Sequence, residues 1–181
     1  VIDKTLSPMG GRLLKRWLAL PLKDADKVRN RHEVISYLKE NQEILHKIQH
    51  QIKQISDLER LISKIATGKV SPREIIYLKD SLDAIIPVKT LALESKQEAV
   101  RIIGDSLHSC DLLREKIKTT LNPDAPVAIA KGNAIASGVH PELDELRNIA
   151  FSGKEFLEGI EKRESEATGI SSLKISFNNV F

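Results

Sequence analysis

Apolar residues recur every three or four positions along most of this chain, which is the repeat of an amphipathic helix. The longest run extends over residues 38–65, and a single break in it is expected near Asn41 or Ser56. Further runs follow Ser7-Pro8 and Ser71-Pro72, where a capping serine and a proline mark a helix start. The pattern therefore predicts a mostly α-helical protein, folded as an irregular bundle of several helices.

Residues 141–168 predict one long helix, whose apolar stripe stops at Ile160. Beyond that point the helix is charged on every side, which is typical of a helix that leaves its domain and crosses solvent. Gly169 suits the C-terminal cap. The alternation after it predicts a half-buried strand, with apolar positions at Leu173, Ile175 and Phe177. We therefore expect a helical core at 1–168, ending in a protruding helix, and the first strand of a second domain at 169–181.

Residues 122–141 interrupt the helical pattern. They contain three prolines and two glycines among small residues, a composition that favours turns and extended backbone over helix. Two short extended pieces are expected here, around Val127–Ile129 and Ala134–Ile135. The predicted fold class is therefore mostly α, with one long protruding helix and minor short β pieces.

Charge is unevenly distributed, although the net charge is only +3. Residues 1–31 hold eight Lys and Arg against three Asp, whereas residues 141–168 hold eight acidic residues against four basic ones. The long helix is therefore a poor candidate for binding phosphates through its own surface. The single cysteine, Cys110, excludes an internal disulfide and fits a reducing compartment. No apolar run approaches the length of a membrane span.

Neither Gly-Lys pair of the sequence fits a phosphate-binding loop. Such a loop needs a glycine five positions before the second glycine, and Ser or Thr after the lysine. Residues 66–70 and 151–155 meet neither requirement. We interpret the first as a helix C-cap and the second as a glycine inside a helix.

The histidines and the cysteine do not assemble into a reactive set. His46 and His50 lie four positions apart on a helix, but no third ligand completes a metal site. His108 and Cys110 lack the orienting third group that a nucleophilic pair needs. Arg60 lies beside two acidic residues, which indicates a structural salt bridge. The sequence therefore predicts no catalytic, cofactor-binding or metal-binding residue.

Several blocks of the chain occur together, in this order, in one family. They are SPMGGRLLKRWLALPL (7–22), VRNRHEVISYL (28–38), ISDLERLISKIATGKVSPREIIYLKDSL (55–82), ASGVHPELDELR (136–147) and TGISSLKISFNNVF (168–181). In these blocks the chain resembles the MutS family of DNA mismatch-repair proteins. The resemblance covers nearly the whole chain, and its last block is the most specific. It identifies the central helical core, or lever domain, up to the first strand of the clamp domain.

The resemblance implies a homodimeric parent protein that encircles DNA, scans for mismatches, and hydrolyses ATP with magnesium in a DNA-dependent reaction. It also implies a downstream mismatch-repair protein as partner, no membrane association, and a cytoplasmic location at the nucleoid. The mismatch-reading domain and the nucleotide site would lie outside these 181 residues. We therefore expect this segment to be non-catalytic and without its own cofactor, and to couple the ATPase end to the DNA clamp.

Within this segment, Lys174 and Asn178 are the expected DNA-contacting residues, because they occupy the exposed face of the predicted clamp strand. Two alternatives remain. The chain would instead be a stand-alone helical module that binds partners through the 38–65 stripe. Less favoured is a metal or thiol enzyme that uses His46, His50 or Cys110.

Overall fold

The computed structural model describes residues 2–175 of the chain. In this range the backbone forms eight α-helices and a single 3₁₀ turn, Ile129–Lys131. The helices are α1 Pro8–Ala19, α2 Ala25–Glu40, α3 Gln42–Ile52, α4 Leu58–Ala66, α5 Pro72–Leu93, α6 Glu98–Ser106, α7 Asp111–Thr120 and α8 Pro141–Thr168. They belong to two compact units, Val1–Ala136 and Ser137–Phe181. The mostly α fold class is confirmed.

The helix starts follow the capping chemistry that the sequence indicated. The Ser7 hydroxyl accepts a hydrogen bond from the Gly10 N–H at 3.1 Å, and Ser71 forms a reciprocal capping box with Glu74. The Glu74 carboxylate accepts from the Ser71 N–H at 2.9 Å and also from the Lys64 ammonium. The Lys64 bond first, then those from Ser71, lower the pKa of Glu74 from 4.5 to about 2.

The 38–65 run divides into parts of three helices, so it breaks twice rather than once. The first break is at Asn41, whose side-chain amide donates to the Tyr37 carbonyl at 2.8 Å and caps α2. The second lies between α3 and α4, where Asp57 caps α4. Both polar residues satisfy helix-end groups locally, so each allows the chain to turn within one amphipathic pattern.

Helix α5 is the centre of the first unit. It packs against α3, α4, α6 and α7, and six of its residues are buried. Pro87 lies inside α5 without ending it, because packing on several sides outweighs the one helical hydrogen bond that a proline removes. The main cluster of buried apolar side chains joins α5 to α4, α7 and the segment after α7; its members are Leu61, Ile76, Leu78, Leu82, Ile117 and Ala125.

The only polar side chain of this interior with no solvent exposure, within the described residues, is Ser81. Its hydroxyl donates to the Tyr77 carbonyl at 2.7 Å, one turn earlier in α5. The same oxygen accepts the Ser56 backbone N–H at 2.9 Å. Ser81 therefore ties the middle of α5 to the junction between α3 and α4.

The two predicted β pieces are wrong. Residues 127–129 lead into the 3₁₀ turn, and around Ile135 the described backbone forms one isolated antiparallel bridge, to Leu121, instead of a strand. Between the two pieces the backbone turns, because Gly132 and Asn133 both have a positive φ, of 71° and 59°, a conformation that extended strands do not contain. Just before the first piece, the Arg73 guanidinium of α5 donates to the Ala125 carbonyl at 2.7 Å and to the Asp124 carbonyl at 3.2 Å.

The second unit contains α8, a single unbroken helix of 28 residues. The Asp144 carboxylate accepts the Gly138 N–H at 2.6 Å just before the helix begins. Gly169 caps the other end with a positive φ of 72°, and its N–H donates to the Ser165 carbonyl at 2.9 Å. The long helix and its glycine cap are therefore confirmed.

The backbone after Gly169 is not a strand as far as the structure describes it. Residues 170–175 form a turn and irregular backbone, in which the Ile175 N–H donates to Glu161 at 3.2 Å. The prediction of a strand from 169 is wrong over this part. Its later positions, Phe177 and Asn178, lie outside the described residues. No helix in the described range is long and apolar enough to cross a membrane.

Candidate functional site

The predicted reactive residues do not converge. His46 and His50 are both exposed on α3, where they line a shallow, largely apolar cavity with Pro87 and Leu91. Among residues 2–175, no group of three or more His, Cys, Asp or Glu side chains could hold a metal ion. The two histidines therefore share a face without the further ligands that a metal site requires.

Cys110 precedes α7 in a left-handed conformation, with φ of 49°, and is exposed. Its sulfur lies 3.8 Å from the carbonyl oxygen of His108. That contact involves the backbone of His108, so it gives no support to a thiol–imidazole pair, in which a ring nitrogen must reach the sulfur.

Of the two predicted DNA-contacting residues, Lys174 is exposed in the irregular segment after α8. Asn178 lies outside the described residues. The structure describes one of these two residues, so the assignment of Lys174 and Asn178 to DNA stays a prediction.

The 38–65 stripe is mostly used inside the first unit. Ile48 and Ile52 on α3 are half-buried, and α3 packs against α5. Leu61 of α4 belongs to the buried cluster. An apolar cavity of about 300 Å³ between α2, α3, α5 and α6 is lined by this stripe and contains no titratable lining residue. Because most of this stripe packs inside its own helical bundle, it leaves little apolar surface for a separate partner.

The surface of α8 is different, because none of its residues is buried. Leu146, Ile149 and Phe156 are each more than 60% exposed, and helical geometry places them on one side of α8. Gly153 lies on the same side, and no heavy atom stands within 4 Å of where its Cβ would be. Helix α8 thus presents an open apolar stripe with a gap in its middle.

Helix α1 also contains no buried residue. The Arg12 guanidinium donates to both oxygens of the Asp57 carboxylate, at 2.9 and 2.7 Å, and to Glu59 at 2.7 Å. The hydrogen bond to Asp57, and after it the bond to Glu59, raises the pKa of Arg12. The Arg12–Asp57 bond also lowers the pKa of Asp57. On another side of α1, Arg31 of α2 stacks 3.5 Å from the centre of the Trp17 ring.

The model of MutS domain III matches residues 1–175 of the chain. The chain belongs to the MutS family. It is 84% identical over its whole length to the DNA mismatch repair protein MutS of Flavobacterium johnsoniae, 79% identical to that of Flavobacterium psychrophilum, and 65% identical to that of Christiangramia forsetii. In each case it spans about 21% of the relative's length.

The two candidate surfaces of this domain are the uncovered apolar sides of α1 and α8. The sequence predicted both helices, but it did not indicate that the apolar side of α1 is exposed. The salt bridge expected for Arg60 is confirmed with Asp57, at 3.3 Å; Arg12 also binds Asp57, and it binds Glu59 as well. Arg12 is 45 residues from Asp57 in the chain, and no local spacing signals such a contact.

Proposed function

We propose that this MutS-family chain is the core and lever segment of a DNA mismatch-recognition ATPase, in which it couples the ATPase end to the DNA clamp. The observation that supports this role is α8. It is one helix of 28 residues, which at 1.5 Å per residue spans about 42 Å. A helix of that length with no buried residue is suited to relaying position between distant domains better than to forming a local pocket.

The chemistry of the described residues agrees with a relaying role. Within residues 2–175 the titratable groups with shifted pKa values owe the shift to hydrogen bonds and salt bridges with neighbouring residues, as Arg12 does to Asp57 and Glu59, and Glu74 to Lys64 and Ser71. We propose that the segment is non-catalytic and that ATP and magnesium bind elsewhere in the full-length protein.

We also propose that the full-length protein is a homodimer that binds mismatched double-stranded DNA and engages a downstream mismatch-repair protein at the nucleoid in the cytoplasm. In this arrangement DNA contact is left to the segment beyond α8, where Lys174 and Asn178 would reach the phosphate backbone. Helix α8 itself is acidic, with eight acidic residues against four basic ones, which is consistent with DNA contact by the segment beyond it.

The lever role is tested by bending α8 in the full-length protein. Glu155→Pro removes a backbone donor in mid-helix and kinks or breaks it at a cost of about 3 kcal/mol. Glu155→Ala removes the same exposed side chain and keeps the helix. We expect the proline variant to retain basal ATP hydrolysis and to lose the response of hydrolysis to mismatched DNA, while the alanine variant keeps both.

An equal response to mismatched DNA in the two variants would refute coupling through α8. A second measurement examines the segment alone. The 181-residue chain should bind a mismatched and a perfectly paired duplex equally weakly in a gel-shift titration. A clear preference for the mismatch would show that recognition lies in this segment after all.

A further inference from the structure

Near the end of the first unit the backbone pairs with itself over a very short stretch. Leu121 and Ile135 form an isolated antiparallel bridge, and a backbone hydrogen bond lies on each side of it. These bonds run from the Asn122 N–H to the Ala134 carbonyl and from the Ala136 N–H to the Thr120 carbonyl, both at 2.9 Å. We name residues 120–122 and 134–136 the clasp. Since α7 ends at Thr120 and the first unit ends at Ala136, the clasp joins the end of α7 to the end of the unit.

Arg73, in the first turn of α5, holds the loop that the clasp closes. Its guanidinium donates to the Ala125 carbonyl at 2.7 Å and to the Asp124 carbonyl at 3.2 Å. The Ala125 N–H in turn donates to the Asn122 carbonyl at 2.9 Å, and Ala125 has no solvent exposure. Hydrogen bonds from a charged donor are about twice as strong as neutral ones. A chain of hydrogen bonds therefore runs from α5 through Ala125 to the clasp.

The clasp is attached to α5 a second time, through α7. The Arg114 guanidinium of α7 donates to the Asp83 carboxylate of α5 at 2.7 Å, and Ile117 of α7 lies in the main buried cluster. These contacts precede Leu121 in the chain, and the contact of Arg73 follows it. Because α5 holds the chain on both sides of Leu121, the clasp should move together with the centre of the first unit.

Beyond the clasp, the chain enters α8 within a few residues. Ala136 is the last residue of the first unit, and α8 begins at Pro141. In the second unit, the Gly138 N–H donates to the Asp144 carboxylate at 2.6 Å. Ser137 therefore lies between two hydrogen-bonded amides, one in each unit. Hinges in proteins are a few connecting residues of this kind, which absorb torsion changes between two bodies.

We propose that Arg73 is a positioning residue for the relay through α8, because it keeps the clasp closed and so fixes the point from which the chain enters that helix. With the clasp open, residues 121–140 would form one continuous linker between α7 and α8. A flexible linker sets a mean distance between its ends but transmits no direction. With the clasp closed, a displacement of α8 reaches α5. The proposal rests on the proposed function, which takes α8 as the relay.

The first measurement is hydrogen exchange by mass spectrometry on the full-length MutS protein. Arg73→Met keeps an unbranched apolar side chain and removes the donors to both carbonyls. Exchange in the peptides that contain the Asn122 and Ala136 amides should become at least about tenfold faster, the factor that corresponds to a lost hydrogen bond from a charged group. The control, Arg60→Met, makes the same change at an arginine whose side chain is 80% exposed, and should leave this exchange unchanged. Unchanged exchange in Arg73→Met overturns the proposal.

The second measurement is the stimulation of ATP hydrolysis by mismatched DNA. Arg73→Met should keep basal hydrolysis and lose about fivefold or more of the stimulation, which is the lower end of usual allosteric coupling factors. The control is Ser81→Ala, which removes buried hydrogen bonds of the same unit away from the clasp. It should keep the stimulation. An equal loss in Ser81→Ala would assign the effect to the stability of the unit and would overturn the role of Arg73.

A covalent bond across the clasp provides the rescue. The two clasp hydrogen bonds flank Leu121 and Ile135, which makes them the non-hydrogen-bonded type of antiparallel pair. The Cα atoms of such a pair lie about 4.5 Å apart, a span that a disulfide can bridge. Leu121→Cys with Ile135→Cys, in a Cys110→Ser background, should return the stimulation to Arg73→Met when oxidised and lose it again on reduction. Mass spectrometry of the linked peptides identifies the disulfide, and an oxidised protein without stimulation contradicts the proposal.

These outcomes are distinct from failure of the lever role. A normal response to mismatched DNA in Glu155→Pro refutes the lever role, and with it the part that the clasp plays in it. A lost response in Glu155→Pro together with a normal response in Arg73→Met refutes only the role of the clasp. Arg73→Lys is the second variant should Arg73→Met fail to fold. Its ammonium lacks the fork that reaches two carbonyls, so exchange and stimulation should lie between those of Arg73→Met and the unmodified protein.

Discussion

Ser81→Ala is the sharpest available test of how the first unit is held together. The substitution keeps the size of the buried side chain within one atom but removes the acceptor of the Ser56 N–H bond, which measures 2.9 Å. It also removes the bond that the hydroxyl donates to the Tyr77 carbonyl at 2.7 Å. That second loss should matter less, because the Tyr77 carbonyl lies inside α5 and keeps its helical donor.

The expected magnitude follows from these two bonds and from helix propensity. A buried N–H left without a partner costs about 1–3 kcal/mol. Alanine is a better helix former than serine by about 0.5 kcal/mol, which offsets part of the loss. We therefore expect Ser81→Ala to lower the free energy of unfolding by about 1–2 kcal/mol. With a urea slope of about 2 kcal/mol/M, the midpoint should fall by about 0.5–1 M.

The matched control is Ser63→Ala in α4. Ser63 is exposed, and its hydroxyl donates to the Glu59 carbonyl at 2.8 Å, one turn earlier in the same helix. Ser63 therefore makes the same bond within its helix that Ser81 makes to Tyr77, but it has no counterpart to the bond between Ser81 and Ser56. We expect Ser63→Ala to leave the urea midpoint unchanged or slightly higher.

Urea unfolding followed by circular dichroism measures the midpoints, and native-state hydrogen exchange reports the Ser56 amide directly. In Ser81→Ala this amide should exchange faster relative to the other amides of the unit, because it has lost its acceptor. If both serine variants shift the midpoint equally, or if exchange at Ser56 is unchanged in Ser81→Ala, the proposed link between α5 and the α3–α4 junction is refuted.

Three further predictions follow from the same structure. The pKa of Glu74 is lowered to about 2 in the fold, so its contribution to stability is present above the unfolded value of 4.5 and disappears as the pH falls toward 2. In a Glu74→Gln variant the urea midpoint should therefore fall less over this pH interval than in the unmodified chain. Plots of urea midpoint against pH that run parallel for the two proteins would exclude the contribution. Gly104→Ala should destabilise the chain by about 1 kcal/mol in urea unfolding, because the added Cβ would stand 2.9 Å from the Ala92 Cβ. Gly159→Ala should instead stabilise α8 by about 1 kcal/mol, because no heavy atom lies within 4 Å of its added Cβ. Lys174→Ala in the full-length protein should weaken binding to all DNA sequences alike and reduce the slope of log affinity against log salt by about 1; an unchanged slope would remove Lys174 from the DNA interface.

The features that could be predicted from sequence are those set by local chemistry. Ser7, Asp24 and Ser71 begin helices because a capping side chain bonds to backbone only two or three residues away. Gly169 ends α8 because the left-handed conformation after a helix suits glycine. Neither effect depends on what packs against the helix, so the start of α1 and the end of α8 were predicted correctly.

The features that could not be predicted depend on residues far apart in the chain. The extended pieces near Val127 and Ala134 were expected from composition, which did not reveal that Arg73, 51 and 52 residues away, holds the Asp124 and Ala125 carbonyls just before the first of them. The Arg12–Asp57 pair, which fixes the direction that α1 faces, is separated by 45 residues. Long-range ion pairs have no periodic signature, so the orientation of α1 emerges only from the structure.

The helices with an uncovered stripe also show what amphipathicity does and does not specify. Helix α5 is buried on several sides and packs against four other helices, whereas α1 and α8 each have one apolar stripe and no buried residue. A stripe therefore specifies which side of a helix will be covered, but not whether the covering element lies in the same segment of chain. The charged residues beside the two stripes differ in sign, so the two stripes favour different partners. Basic residues border that of α1 and acidic residues predominate along α8, so a helix whose flanks complement one surface would be repelled by the other.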